Sequence, residues 1–296
     1  MHTIFDKSLE YFVAWFNVGL YRSHELDKSI LPEIAEVHAE EVHNSLIRQC
    51  TESKRKGIGV SELGHPAVLL ALKHLGFSQE LPAVKSIFSF HYGDWFESFL
   101  ISLMRLYGLE VTHPQKEINF HGCVGHIDCV VDDEVVEIKT MNDRNFRRFV
   151  NEPSDAIYGY ATQLSCYAET MQMKGVWLII NKVTRELILV RPSDELVKDR
   201  VARALTLLEA LEGIRDVADI FDNFAAPAPE VEFYCKKPTG RLLVPESMRY
   251  SEYRGAFFDI SVESNKYGRP TEYVSSVLEP NISIELLQRN QALVAM

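Results

Sequence analysis

The stretch from residue 125 to 140, GHIDCVVDDEVVEIKT, sets Asp128, Glu137 and Lys139 inside runs that otherwise read as β-strand. Burying a charge without a partner costs several kcal/mol, so each needs solvent, a counter-charge or a ligand. HIDCVV and EVVEIKT are β-branched and alternate. Asp132-Asp133 between them tolerates the left-handed backbone of a two-residue hairpin loop. That loop sets Asp128 opposite Glu137 and His126 opposite Lys139. Alternation gathers His126, Asp128, Val130, Val135, Glu137 and Lys139 on one face. It sends Ile127, Cys129, Val131, Val136 and Ile138 to the other, which packs into the core. Two carboxylates facing each other at about 4–5 Å repel by about 1–4 kcal/mol, and a divalent cation reverses that sign. Magnesium prefers hard oxygen ligands and takes only one or two carboxylates from a protein. The pattern predicts a metal site with a lysine beside it. The bland alternative, a surface ion pair of Lys139 and Glu137 worth about 0–1 kcal/mol, leaves Asp128 unexplained.

The elements that must position these residues follow from periodicity. Residues 3 to about 56 read as helical, with a break near Leu31-Pro32. A helix after the cap at Ser61 reaches about residue 77, and a strongly apolar one ends near Gly108. A strand around EINFHG precedes the hairpin. EPSDAIYGYATQLSCYAETM reads as a helix, GVWLIINKVTRELILVRPS as two strands across a polar turn, and 193–217 as a further helix. Strand, hairpin, helix and strand in that order predict a mixed α/β sheet flanked by helices. AAPAPE at 225–230 reads as a linker. The expected organisation is an N-terminal helical extension (1–57), a core (58–225) and an irregular C-terminal segment (226–296).

Composition bounds the rest. No apolar run reaches the ~18–20 residues of a membrane span, and the stretch 11–21 looks amphipathic. No basic stretch or small-residue cleavage site marks a signal peptide. Five scattered cysteines (Cys50, Cys123, Cys129, Cys166, Cys235) form no C-x-x-C pair, so the expectation is a reduced, cytoplasmic chain. A formal net charge of −11 weighs against nucleic acid as a partner. Local basic strips soften that objection: Lys139, Arg144, Arg147 and Arg148 follow the hairpin, and Arg48, Lys54, Arg55 and Lys56 form another. Either strip alone reads as solvated surface.

Four features in order resemble the PD-(D/E)XK nuclease superfamily, and more narrowly its RecB-like exonuclease branch of phage recombination and CRISPR-associated exonucleases. They are S-E-L-G-H-P (61–66), G-D-W-F-E (93–97), the hairpin with Gly125, Asp128, Glu137 and Lys139, and Q-L-S-C-Y (163–167). They span residues 58 to about 190. The resemblance implies a restriction-endonuclease-like mixed central sheet. It implies magnesium or manganese held by Asp128, Glu137, the Ile138 carbonyl and Glu97, with one ion or two left open. Lys139 would orient or help deprotonate the attacking water and stabilise charge on the phosphate. Gln163 and Tyr167, one turn apart on a helix, would bind substrate, and Arg144, Arg147 and Arg148 would contact the DNA backbone. Several relatives carry an iron–sulfur cluster whose first cysteine stands where His65 stands here. Only Cys235 remains near the C-terminus, so no cluster is expected. Ala67 replaces the family's usual Arg.

The resulting expectation is a metal-dependent deoxyribonuclease, an exonuclease acting on DNA ends in recombination or repair and compatible with a phage origin. A homo-oligomer or a recombination partner protein fits that role, and a membrane does not. Two rivals share the fold: a catalytically silent DNA-binding or scaffolding subunit, and a restriction-type endonuclease. The intact Asp, Glu and Lys argue against the first. The Q-x-x-x-Y helix and the lack of an obvious base-reading segment argue against the second.

Overall fold

The computed structural model describes residues 8–18, 57–77, 84–155, 159–248, 251, 253–265 and 267–294, with isolated positions between 29 and 43. Helix α1 (Leu9–Val18) drives Leu9 and Phe12 into a core shared with α3, below. Asn17 then satisfies both backbone groups of Leu187, donating to its carbonyl at 2.6 Å and accepting from its N–H at 2.9 Å. This first helix of the expected N-terminal extension is therefore built into the core. Most of the predicted 32–56 helix lies outside the described residues. A 3-10 turn (Val60–Glu62) leads into α2 (Ala67–His74), and α3 (Val84–Tyr107) follows.

Strands β1 (Glu117–Phe120) and β2 (Cys123–His126) form a small antiparallel pair. Strands β3 (Cys129–Val131) and β4 (Glu134–Met141) make the predicted hairpin, with Val131 opposite Glu134 and Cys129 opposite Val136. Asp132 and Asp133 both adopt left-handed φ (51° and 59°), as a two-residue turn matching strand twist requires. Helices α4 (Asp143–Asn151) and α5 (Tyr160–Met171) cross over to β5 (Lys174–Asn181), which pairs parallel with β4. Strand β6 (Leu187–Val190) closes the sheet β3-β4-β5-β6. The mixed sheet flanked by helices is thus the observed architecture. A parallel central strand is covered on both faces, which is why KGVWLIIN is almost wholly buried.

Two details of the hairpin differ from expectation. Both of its faces are buried: Val130 and Val135 pack with α5, while Cys129, Val131, Val136 and Ile138 pack with α1 and α3. Ile127 joins Val130 rather than Cys129, because strand pairing is interrupted at Asp128. His126 pairs with Glu117, not Lys139, and Ile127 N donates to Lys116 O at 3.1 Å. Only from Cys129 does the chain join β4. The parity rule holds within one strand and cannot be carried across that break.

Helices α6 (Asp194–Glu212) and α7 (Val217–Asn223) precede a second sheet. Strands β7 (Glu230–Tyr234) and β8 (Lys237–Leu243), helix α8 (Arg254–Phe257), strands β9 (Phe258–Ser264) and β10 (Pro270–Val277) and helix α9 (Pro280–Val294) follow. The sheet order is β7-β8-β10-β9, all antiparallel. The segment 226–296 is therefore not irregular. Its first two strands are mostly solvent-facing, so they show no hydrophobic run, and Pro238 and Gly240 hide β8. Phe257, Phe258, Val274 and Leu287 pack with Val68, Leu72 and Leu211, so the second sheet shares a core with α2 and α6. Among the described residues no helix is long and apolar enough to cross a membrane.

Candidate functional site

The break at Asp128 creates the site. Where β3 would continue, its place beside β4 is taken by the Asp128 carboxylate, whose Oδ2 accepts the Ile138 N–H at 2.6 Å. A strand residue directs its N–H and C=O to the same side, so the Ile138 carbonyl opens towards Asp128 as well. Glu137 and Lys139 leave β4 on the opposite face to Ile138, and Lys139 Nζ reaches Glu137 Oε1 at 2.6 Å. Lys139 also lies over the Tyr160 ring, 4.9 Å from its centre. Asp128 is 7% and Glu137 1% exposed. These are buried charges, not a surface ion pair.

Burial pushes the Asp128 carboxyl well above its usual range, and the charges of Glu137 and Glu97 push it the same way. Burial also raises Glu137, with Lys139 opposing it. Burial alone would lower Lys139, but Glu137 and Asp128 outweigh it and hold the ammonium well above its ordinary value. Glu137 Oε2 is buried with no hydrogen-bond partner among the described residues. A buried carboxylate oxygen without a donor is costly. Two carboxylates and a carbonyl are hard oxygen donors, so the residues present fit magnesium or manganese.

Glu97 sits on α3 within electrostatic reach of Asp128, but Gln115 Nε2 donates to its Oε1. Among the described residues, no three His, Cys, Asp or Glu side chains converge as a ready-made cage. The expected ligand set is thus assembled in part: Asp128 and Glu137 meet at β4, and Glu97 is turned to Gln115. Gln115 escaped the sequence reading. Its own N–H donates to Asp128 O at 3.2 Å and its φ is 51°, so one left-handed residue ties Glu97 to the Asp128 backbone. Tyr160 was missed too, although it stands one turn before Gln163 and so on a similar face of α5.

Gln163 and Tyr167 are buried, and Gln163 Nε2 donates to the Tyr167 hydroxyl at 3.2 Å. Burial raises the Tyr167 phenol, and the charge of Glu137 adds to it. A Cβ at Gly125 would lie 2.8 Å from Tyr167 Cε1, so this glycine is where the ring packs. Both side chains are thus buried, with the Tyr167 ring packed against Gly125 of β2. The S-E-L-G-H-P stretch does similar work. Glu62 accepts the Gly59 N–H at 2.7 Å and Lys73 Nζ at 2.6 Å. A Cβ at Gly64 would fall 2.7 Å from Gly159 O, so this loop abuts the start of α5. On α4, capped by Asn142, Arg144 is exposed, Arg147 pairs with Asp143 at 3.1 Å and Arg148 with Glu246 at 3.4 Å. Of the three arginines expected at the DNA backbone, Arg147 and Arg148 are thus in ion pairs.

No protein-family model and no curated protein matches the chain. Among solved structures it is similar to SSO0001, with 18% identity and a TM-score of 0.36 over 64% of this chain and 87% of that one. It is also similar to an alkaline exonuclease (LHK-Exo) from Laribacter hongkongensis, with 15% identity and a TM-score of 0.37 over 56% of this chain and 91% of that one. The same exonuclease in complex with dAMP gives a TM-score of 0.38 at the same identity and coverage.

Proposed function

We propose that the chain is a metal-dependent deoxyribonuclease, an exonuclease that hydrolyses DNA phosphodiester bonds from ends. The observation that carries this reading is the buried Asp128–Glu137–Lys139 group, whose Glu137 Oε2 lacks a donor among the described residues. Asp128, Glu137 and the Ile138 carbonyl would hold magnesium or manganese, and Glu97 would join by exchanging its Gln115 bond. When bound, the cation would supply Lewis acidity and lower the pKa of a coordinated water. Flanked by two carboxylates, Lys139 stays an ammonium. That suits it to orient the attacking water and stabilise charge on the phosphate, rather than to accept a proton. The Tyr160 ring packs on the Lys139 ammonium, and Gln163 and Tyr167 would hold β2 and α5 together. Arg144 is the arginine available for a backbone phosphate. His65 in the cysteine position leaves too few thiolates for an iron–sulfur cluster.

The test is digestion of end-labelled linear and closed circular DNA, with and without magnesium. Loss of linear DNA only, and only with metal, is the expected result. Circles cut as fast as linear molecules would replace the exonuclease by an endonuclease. No cutting of either in magnesium or manganese would favour the silent scaffolding subunit.

A further inference from the structure

The G-D-W-F-E motif contains two aromatic residues that the proposed chemistry leaves unused. On α3, Tyr92, Trp95, Phe96 and Phe99 recur at helical spacing and form one connected cluster. Trp95 and Phe99 stack with centres 5.5 Å apart and planes 6° apart. Trp95 meets Phe96 edge-on at 5.0 Å, and Tyr92 meets Phe96 at 4.7 Å. Phe96 and Phe99 are half-buried against the core of α1, α3 and the central sheet. Tyr92 and Trp95 are 42% and 43% exposed. Two large rings are thus presented to solvent on a fixed aromatic base.

One cation stands against them, where β4 and β5 end. Lys182 Nζ lies over the Tyr92 ring, 5.2 Å from its centre. Its backbone N–H donates to Met141 O at 2.7 Å, two residues beyond Lys139 on β4. Beside it, Asn181 Nδ2 donates to Asp143 Oδ1 at 3.0 Å, next to the exposed Arg144. Tyr92 and Trp95 lie about 140° and 160° around the α3 axis from Glu97, so the rings face away from that carboxylate. Lys182 and the two rings therefore make a cationic and aromatic patch where β4 and β5 end, with Arg144 on the helix that follows β4.

We propose that Tyr92 and Trp95 are a stacking platform for unpaired bases of a single DNA strand, with Lys182 and Arg144 contacting its phosphates. The inference deepens the nuclease reading and rests on it for the identity of the polymer. Exposed aromatics beside cations are what sequence-independent binding of single strands uses, because every base offers a π-face and every nucleotide a phosphate. A strand that is held by stacking must be unpaired, so the platform selects single strands or frayed ends over intact duplex.

The chain has three tryptophans. Trp177 is fully buried and Trp15 is packed against Tyr107, so Trp95 is the one a base can reach. The experiment titrates an oligo-dT into the full chain with calcium in place of magnesium, reading intrinsic fluorescence and affinity. Cleavage of the same oligomer is followed in magnesium. Saturable quenching is expected, with Trp95→Ala weakening affinity about tenfold or more. Trp95→Phe should keep most of the affinity and lose the quench, which decides the matter even if Trp95→Ala folds poorly. Wild-type binding without quenching, or unchanged affinity in Trp95→Ala, would overturn the platform. An oligomer that Trp95→Ala dissociates without altering dT affinity would overturn it in favour of a second copy of this chain. Quenching and weakened mutant binding without cleavage would leave the platform and remove the nuclease reading. Cleavage with mutant affinity unchanged would do the reverse.

Discussion

The β3–β4 and β7–β8 hairpins close on the same backbone device. Asp132 and Asp133 sit at φ 51° and 59°, and Cys235 and Lys236 at φ 48° and 65°. Their settings diverge completely. The first hairpin enters a sheet covered on both faces, where Glu137 is 1% exposed. The second belongs to a sheet whose ion pairs stay in contact with water: Arg254 with Glu272 at 2.9 Å and Arg241 with Glu263 at 3.6 Å. A charge pair in water costs little to keep and contributes little. Carboxylates inside a core cost several kcal/mol unless something satisfies them. The same turn therefore carries ordinary structure in one sheet and a candidate reaction centre in the other, and burial makes the difference.

Changes in the first hairpin should then act on chemistry, and changes in the second on almost nothing. The largest effect is expected from Lys139→Ala, which removes a cation without removing a ligand. Single-turnover cleavage should slow by ~10²–10³, about 2.7–4 kcal/mol, with metal binding retained. Cleavage at the wild-type rate would return Lys139 to the status of a structural ion pair.

Gly125→Ala is next. The added Cβ meets the Tyr167 ring and Val60 Cβ at 2.8–2.9 Å. Overpacking of this kind should cost about 1–3 kcal/mol in urea unfolding and slow cleavage by shifting the buttress. An unaffected melting curve would mean that Tyr167 is free to give way.

The pH dependence of the metal-free protein separates the sheets again. Asp128 and Glu137 have raised values in the fold, so their protonated forms favour it. Their contribution is present below about pH 4, near the unfolded values, and is lost as pH rises through the folded ones. An Asp128→Asn, Glu137→Gln variant lacks that loss. Its melting temperature should gain on the wild type as pH rises, and a gap that closed with rising pH would contradict the assignment. Arg241→Ala in β8 should be the mildest change, within about 1 kcal/mol and without effect on cleavage.

How much of this could be read from the chain follows the same division. The first hairpin was legible because Asp-Asp between alternating β-branched runs signals both turn and strand. The second was not, since Cys235-Lys236 carries no turn chemistry and its strands face water. Asp128, Glu137 and Lys139 were legible as charges in apolar company. Gln115 was not, because nothing local announces a left-handed glutamine holding a distant glutamate. The burial of Gln163 and Tyr167 was hidden as well, since a polar residue on a helix gives no sign of which face is covered.

On the proposed function, the buried carboxylates of the first hairpin hold a divalent cation. Thermal melts of wild type and Asp128→Asn under magnesium titration test it most directly, because the asparagine keeps an acceptor for the Ile138 N–H. Wild type should rise with magnesium, approaching about 2.7 kcal/mol of stabilisation at a hundredfold excess over Kd, while Asp128→Asn stays flat. A wild-type melting curve unmoved by about 10 mM magnesium or manganese, or an equal rise in both proteins, would contradict the account.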